Sequence, residues 1–457
     1  MNSFSFLDCK VLEKDKQNII VDFSGPNVAK QMHVGHLRST VIGNSIVNIL
    51  KKQGHTTHSI NHIGDWGTQF GMLIAGYKDP IVMSGFKKIK SLQDLNNLYK
   101  HVAKKFKEDA IFASKAKLEL KKLQDGYIPN IKIWNKFCKI TKLNNDKLYK
   151  AFSIAFDFNQ GESYYNNYLQ PTVQQLLNCN IAKESDNAVC VFFDNKDLKS
   201  HPFLIQKSDG AYLYSTTDLC AAKVRNEKYN KAIYVTDYRQ ELHFKQLKET
   251  CKQMNLQIQI EHAMFGSVTD TNGQPLKSRD GDPVALQYLL DEAILKSKSL
   301  SLKGNSSYKQ VAIGALIYAD LMKNRTSNYV FDIDKMISLS GNSGPYIQYT
   351  YSRFFKMLNA FGEGDCFVIE TEAEKKLALF ILDYKDALSK AASNLHPHVL
   401  TDYIFGLCKS ASHFYESCII KNQSDEKKNS SMFLIKAFCI IHKEVMECLG
   451  MPIVTEM

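Results

Sequence analysis

The stretch from Asn18 to Gly54 reads NIIVDFSGPNVAKQMHVGHLRSTVIGNSIVNILKKQG and decides the fold. Its first six residues, NIIVDF, are mostly apolar and predict a short buried strand. After a loop, isoleucines recur at helical spacing between Ile42 and Ile49, and Gly54 is a natural helix stop. The next segment, HTTHSINHIGD, predicts a second strand. Strand, loop, helix and strand in this order open a doubly wound, parallel-sheet α/β domain of Rossmann type.

The remaining chain divides into further segments by composition. We assign residues 1–76 to the first half of the Rossmann-type domain, 77–187 to a Lys-rich helical connective insertion, 188–338 to the second half, and 339–457 to an α-helical bundle. In the second half, the strand-like segments AVCVFF, AYLYS, AIYVT and IQIEHAMF alternate with helical patterns. The turn residues of LSGNSGP mark the last boundary.

Charge and cysteine content restrict the class of protein. The net charge of +11 over 457 residues is compatible with a polyanionic partner such as nucleic acid. The eleven cysteines are scattered without a C-x-x-C pair, which argues against a disulfide scaffold or a zinc site and fits a reducing compartment. No apolar run reaches the ~20 residues that span a bilayer. We therefore expect a soluble, cytoplasmic monomer with no metal of its own.

The motif His33-Val34-Gly35-His36 lies between the first predicted strand and the first predicted helix. A helix N-terminus presents free N–H groups and a positive dipole end to anions. Gly35 leaves room for an adenine or ribose, and two imidazoles can donate hydrogen bonds to phosphate oxygens. Lys30 adds a positive charge nearby. The alternative is two incidental histidines in a turn, but the strand–loop–helix context favours a nucleotide site.

The segment FSGPNVAKQMHVGHLRSTVIGN resembles the first signature of class I aminoacyl-tRNA synthetases, in the form typical of the arginyl enzymes. Further similar motifs follow in family order: NHIGDWGTQFG, GESYY, YSTTDL, IYVTDYRQELHF, HAMFGSV and GPYIQYTYSR. The resemblance extends from about Asp22 to the C-terminus. It implies ATP-dependent activation of L-arginine to arginyl-adenylate and transfer to the 3′ end of tRNA(Arg). Magnesium would arrive with ATP.

The resemblance also implies how the nucleotide is held. His33, His36 and Lys30 would stabilise phosphate charge, with Gly35 at the nucleotide. The family's second signature corresponds to PLKSRDG, in which Ser278 replaces an important lysine. Lys277 and Arg279 remain as nearby cations, and the family lysine that matches Lys30 is thought to compensate. Which cation meets the leaving group therefore stays open.

A guanidinium side chain requires carboxylates that accept its hydrogen bonds in pairs. Asp218 lies near the start of a predicted helix, four residues after Tyr214. The resemblance implies that Tyr214 and Asp218 grip the arginine side chain, that Gln240 and Glu162 assist, and that Asn27 contacts the α-amino end. Taken alone, Asp218 could instead favour the helix N-terminus electrostatically, and the other four could be ordinary core, surface or turn residues.

Tyr346, Tyr349 and Arg353 begin the terminal bundle at spacing i, i+3 and i+7, on one helix face. Aromatic rings and a guanidinium on an exposed face can stack unpaired bases. The resemblance implies that these residues and Met457 contact the tRNA anticodon. Packing of the tyrosines in the bundle core is the alternative.

Two departures from the family pattern leave other functions open. Few residues precede Asn18, and we expect that the N-terminal domain with which many arginyl enzymes read the tRNA elbow is missing. Together with Ser278, this motivates a non-catalytic tRNA-binding relative as an alternative. A cysteinyl or glutamyl synthetase and a small nucleotidyltransferase are further alternatives. The missing zinc ligands argue against a cysteinyl enzyme, and the pairing of Tyr214 with Asp218 favours a cationic substrate. The long helical C-terminal segment argues against a small nucleotidyltransferase.

Overall fold

The computed structural model describes residues 9–86, 88–270, 272–277, 283–300, 307–418, 420 and 423–457. In chain order the strands are β1 (Asn18–Asp22), β2 (Thr56–Ile63), β3 (Phe158–Gly161), β4 (Ala182–Ser185), β5 (Ala188–Val191), β6 (Phe203–Gln206), β7 (Lys231–Tyr234), β8 (Gln259–His262), β9 (Val268–Thr269) and β10 (Tyr329–Val330). The helices are α1 (Val34–Lys52), α2 (Thr68–Lys78), α3 (Pro80–Ser84), α4 (Leu92–Glu108), α5 (Ala110–Gln124), α6 (Ile128–Ala151), α7 (Asn166–Asn178), α8 (Tyr214–Arg225), α9 (Glu241–Gln253), α10 (Leu286–Leu300), α11 (Tyr308–Leu321), α12 (Ile333–Met336), α13 (Gly344–Phe361), α14 (Glu372–Leu382), α15 (Tyr384–Asn394), α16 (His398–Ser417) and α17 (Asp425–Leu449).

The central sheet has the order β3–β2–β1–β7–β8 among the described strands, and each neighbouring pair is parallel. β1 lies in the middle because its apolar residues Ile19, Ile20 and Val21 are buried from both faces. The helix α1 then crosses tightly over β1, since a Cβ atom at Gly43 would overlap the ring of Phe23. This arrangement confirms the predicted doubly wound α/β fold.

Strand assignments needed correction in three places. β3 lies inside the range 77–187 that the sequence assigned to the insertion, yet it pairs with β2 in the central sheet. AVCVFF was expected in the parallel sheet, but β5 pairs antiparallel with β4 and β6 in a separate sheet. AYLYS was expected to be a strand, whereas Tyr212 makes only an isolated bridge and Tyr214 begins α8. Alternation of apolar residues indicates strand-forming potential but not the strand that pairs with it.

The helices α3 to α6 form the bulk of the insertion, and they share an apolar cluster with α2. Among its buried members are Leu95, Leu98, Phe112 and Phe137. The cluster also includes Val28 and Ala29 from the loop between β1 and α1. The insertion therefore packs directly on the loop that leads into the HVGH motif.

The terminal helices α13 to α17 form the predicted bundle, and α17 packs against α1. Ser45 Oγ donates to the Cys448 carbonyl at 3.0 Å, and Asn48 Nδ2 donates to the Glu447 carbonyl at 3.0 Å. The helix that carries the HVGH motif is thus fixed at its far end by the bundle. None of the helices in the described ranges combines the length and apolar character needed to cross a membrane.

Candidate active site

A cavity of about 720 Å³ lies where β1 and β7 end, at Asp22 and Tyr234. This is the edge at which doubly wound sheets bind ligands. The lining includes eight of the residues that the sequence singled out: Asn27, His33, Gly35, His36, Glu162, Tyr214, Asp218 and Gln240. The cavity therefore joins the HVGH motif to the acidic residues, although Glu162 and Asp218 lie 126 and 182 residues after His36 along the chain.

The two histidines of the motif are oriented by hydrogen bonds to the start of α1. His33 is the N-cap residue, and its Nδ1 accepts from the Gly35 N–H at 3.1 Å. His36 Nδ1 accepts from the His33 N–H at 3.1 Å. A neutral imidazole that accepts at Nδ1 carries its proton on Nε2. Both rings therefore have an Nε2–H group to donate to a ligand.

Both histidines are neutral at physiological pH. Burial, and then the nearby charge of Lys30, lowers the pKa of His33 to about 4. Burial, and then the adjacent His33 and Lys30, lowers the pKa of His36 to about 3. The rings lie 4.0 Å apart between centroids. Across the neutral range they can donate hydrogen bonds to a ligand but carry no positive charge.

The loop between β1 and α1 is held in a strained, specific shape. Ser24 has φ = 74°, in the left-handed region, and its N–H donates to Ser39 Oγ at 2.8 Å. Further along, Asn27 forms a bridge with Gly64 at the end of β2. A side chain at position 64 would overlap Asn27, so glycine allows this close approach. The contact places Asn27 in the wall of the cavity.

The acidic end of the cavity is built around Asp218. Its Oδ2 lies 2.7 Å from His243 Nε2, on α9. The ring of Tyr214 packs on the same imidazole with centroids 4.9 Å apart, and Tyr214 is 60% exposed. An exposed aromatic ring beside a held carboxylate suits a planar cation. His243 was not singled out from the sequence; its place in ELHF on the face of α9 toward Asp218 becomes evident only in the fold.

Glu162 is the second carboxylate at this end. Burial is the main influence on it and raises its pKa, the neighbouring His62 opposes that shift, and the charges of Asp218 and Asp65 add to it, giving a value of about 7. Glu162 is therefore partly protonated at neutral pH in the unliganded protein. A cationic ligand would favour its ionised form.

A buried ion pair lies beneath the acidic end, and sequence analysis did not find it. Arg225 donates to Asp22 Oδ2 at 2.7 Å, and His62 Nδ1 lies 3.6 Å from the same oxygen. Burial disfavours the charged form of His62, but the carboxylates of Asp22 and Asp218 outweigh it and hold the pKa of His62 above its usual value. These residues join β1, β2 and α8, so no local pattern connects them. Within the described part of the chain, no group of three or more His, Cys, Asp or Glu side chains is arranged to hold a metal ion.

The candidate cations occupy different positions. The Lys30 ammonium lies 4.8 Å from the centroid of the Tyr99 ring, and Lys30 does not line the cavity as the described residues define it. Lys277 is exposed, eight residues beyond the end of β9, and Arg279 lies outside the described residues. Arg239, which the sequence analysis missed, lines the cavity and pairs with Asp237 at 2.7 Å.

The residues suggested for RNA contact lie on α13 and the chain end. Tyr349 is 43% exposed, whereas the Tyr346 ring is partly buried and packs edge-on against Phe405 with centroids 5.9 Å apart. The Arg353 guanidinium lies 3.4 Å from the centroid of the Tyr415 ring. Hydrogen bonds from Gln348 and Ser352 to the carbonyls of Pro452 and Thr455 fix the final residues, with Met457, along α13.

Comparison with known proteins gives the class and then the family. The model of the class I (R) tRNA synthetase catalytic domain matches residues 6–333, and the DALR anticodon binding domain model matches residues 347–457. The chain is therefore a class I aminoacyl-tRNA synthetase, and so an enzyme. Within this class it belongs to the arginyl-tRNA synthetase family, as its sequence motifs predicted.

Individual relatives agree with this assignment. The arginine–tRNA ligase of Fusobacterium nucleatum subsp. nucleatum is 38% identical, and the alignment covers 99% of this chain and 81% of that protein. The ligase of Buchnera aphidicola subsp. Schizaphis graminum is 39% identical over 89% of this chain and 74% of its own length. The crystal structure of Plasmodium falciparum arginyl-tRNA synthetase matches with a TM-score of 0.83 and 30% identity, covering 98% of this chain and 78% of that one. The Thermus thermophilus enzyme, at 18% identity and a TM-score of 0.81, supports the fold.

Proposed function

We propose that the cleft binds ATP along the N-terminus of α1 and the arginine side chain between Asp218, Glu162 and Tyr214. The protein then joins L-arginine to the 3′ end of tRNA(Arg) by way of arginyl-adenylate. The observation that carries the proposal is the single cavity shared by the paired imidazoles and the carboxylates. Reactants held in one cleft are oriented for an in-line reaction.

In the activation step, an oxygen of the arginine carboxylate attacks the α-phosphorus of ATP. A new carboxyl–phosphate bond forms, the bond to the β-phosphate oxygen breaks, and pyrophosphate leaves with the magnesium that ATP brought. Negative charge grows on the phosphate oxygens during this step. The Nε2–H groups of His33 and His36 are placed to donate to such oxygens, and the N-terminus of α1 adds its dipole.

The acidic end supplies the amino-acid specificity. Asp218 is fixed by His243 at 2.7 Å, which leaves its other oxygen to accept from a guanidinium. Glu162 adds a second carboxylate, Gln240 adds polar groups, and Tyr214 offers its ring face. Asn27 also lines the cavity, and its amide suits the α-amino end of the substrate. In the transfer step, a terminal ribose hydroxyl attacks the arginyl carbonyl carbon. The new ester bond forms as the bond from that carbon to the phosphate oxygen breaks, the hydroxyl proton passes to the departing phosphate, and AMP leaves.

The terminal bundle supports a role in binding the anticodon of tRNA(Arg). Tyr349 offers an exposed ring for base stacking, and Arg353 and Met457 lie on or beside the same helix. The Tyr346 ring packs on Phe405, so we expect Tyr346 to assist anticodon binding mainly by fixing the first turn of α13.

We assign residues 1–76 and 188–338 to the catalytic domain, 77–187 to the connective insertion and 339–457 to the anticodon-binding domain. Glu162, from the insertion range, and Asp218, from the second catalytic range, both line the cleft.

A cytoplasmic location is also proposed. No disulfide bond joins any of the eleven cysteines, all of which lie within the described residues, as expected of a reducing compartment. A monomeric state stays a prediction.

The test is ATP–pyrophosphate exchange with each amino acid, with and without tRNA. We expect exchange that depends on arginine and that requires tRNA, as is typical of this family. Exchange with a different amino acid would overturn the substrate assignment. Retained tRNA binding without exchange under either condition would instead support the non-catalytic alternative.

A further inference from the structure

The loop between β1 and α1 contacts the insertion as well as the central sheet. Val28 and Ala29 are 2% and 0% exposed, within the apolar cluster of the insertion helices. The Ala29 N–H donates to Thr141 Oγ1 on α6 at 3.1 Å. Gln31 Nε2 donates to Gln93 Oε1 on α4 at 2.7 Å. Lys30 therefore lies in a backbone segment that the insertion helps to hold in place.

The side chain of Lys30 continues this attachment. Its ammonium lies 4.8 Å from the centroid of the Tyr99 ring. Tyr99 is on α4, six residues after Gln93. The distance from the ammonium to the ring is within the ~6 Å range of a cation–π interaction. The same ammonium is close enough to lower the pKa of both His33 and His36. When the Lys30 ammonium packs on the Tyr99 ring, its charge therefore stays near His33 and His36, at the nucleotide end of the cleft.

We propose that Tyr99 is a positioning residue whose ring face holds the Lys30 ammonium ready for the phosphates of ATP. This inference rests on the proposed function, because it assigns Lys30 to the nucleotide. A lysine carries four flexible bonds, and ordering it in advance reduces the entropy lost when it meets the phosphates. Since α4 belongs to the insertion, a movement of the insertion would also move this charge.

The first experiment compares Tyr99→Leu with Tyr99→Phe in arginine-dependent ATP–pyrophosphate exchange with tRNA present. Leucine keeps an apolar side chain but removes the ring face, and we expect kcat/KM for ATP to fall about two- to fivefold. Phenylalanine keeps the ring and should restore it. Tyr127→Leu is a matched control, because Tyr127 also packs under lysines of the insertion, Lys78 and Lys122. It should leave the exchange unchanged.

The second experiment places Tyr99→Leu in a Lys30→Met background. If Tyr99 acts through Lys30, the Tyr99→Leu effect disappears there, whereas general damage to the fold would persist and add. An additive effect, or equal losses in Tyr99→Leu and Tyr99→Phe, overturns the inference. If Tyr99→Leu does not fold, Tyr99→Met is read in the same way.

The two hypotheses fail differently. If Lys30→Met lowers exchange but neither Tyr99→Leu nor Tyr99→Met does, the role of Tyr99 is wrong and the proposed nucleotide site stands. If Lys30→Met itself leaves the KM for ATP and kcat unchanged, the assignment of Lys30 to the phosphates is wrong, and the inference about Tyr99 fails with it.

Discussion

The two ends of the cleft are built in different ways. The nucleotide end comes from consecutive residues, in which His33, Gly35 and His36 cap one helix and orient each other. The amino-acid end is assembled from separated elements, with Glu162 after β3 and Asp218 on α8. Imidazoles whose pKa values are lowered line one end, and two carboxylates, of which Glu162 has a raised pKa, line the other. The difference predicts that ligand binding depends less on pH at the nucleotide end than at the amino-acid end.

The largest expected effect is at the nucleotide end. His36→Asn can keep the acceptor for the His33 N–H, but its side chain is too short to reach a phosphate. Loss of one preorganised donor to a developing oxyanion lowers kcat by about 100- to 1,000-fold. Pyrophosphate exchange at saturating substrates measures this. An unchanged kcat in a variant with the wild-type melting temperature would remove His36 from catalysis.

At the amino-acid end, Asp218→Asn should weaken arginine recognition. Loss of one carboxylate from a charge-assisted pair costs on the order of 2–4 kcal/mol, so the KM for arginine should rise sharply. The affinity for tRNA, measured by filter binding, should stay near that of the wild type and serves as the control. An arginine KM within twofold of the wild type would place the guanidinium elsewhere.

A smaller effect is expected outside the cleft. Tyr349→Ala should weaken tRNA binding by ~1–3 kcal/mol if a base stacks on the ring. Tyr349→Phe keeps the ring and is the matched control. Normal tRNA binding together with a lowered melting temperature would show that Tyr349 only packs in the bundle.

The smallest effect concerns pH and contrasts the two ends directly. Burial holds the Glu162 pKa at about 7, and arginine needs the ionised form, so a proton competes with the substrate. The KM for arginine should therefore rise as pH falls below 7, by at most about tenfold per unit.

The KM for ATP should change far less over the same range, because the pKa values of His33 and His36 are about 4 and 3. Glu162→Gln should reduce the pH dependence of the arginine KM. A flat arginine profile with a steep ATP profile would reverse the contrast between the two ends.

The contrast between features encoded by consecutive residues and features assembled from separated elements also explains how much of the fold could be predicted from sequence. The unit β1–α1–β2 follows from local apolar periodicity and a glycine stop, and it was predicted correctly. β3 was missed because its sequence FNQG is polar, and only pairing with β2 makes it a strand. The partners of β5 could not be predicted because alternation in AVCVFF fixes a face and not a neighbour.

The site shows the same limit. The motifs named Asp218 and Glu162, and the fold brings them into one cavity with His33 and His36. The sequence analysis missed the neighbouring groups that position Asp218 and shift the pKa of Glu162. His243, His62 and the Asp22–Arg225 pair act across as many as 203 residues of sequence separation, so their chemistry depends on tertiary contacts that no spacing rule contains.

The most direct measurement is a crystal structure with a non-hydrolysable arginyl-adenylate analogue. We expect the adenosine and phosphate to lie at the N-terminus of α1, with His33 and His36 Nε2 within hydrogen-bond distance of the nucleotide. The guanidinium should contact Asp218 and Glu162. An analogue bound with its guanidinium away from Asp218, or outside the cavity that joins the two ends, would contradict the shared cleft.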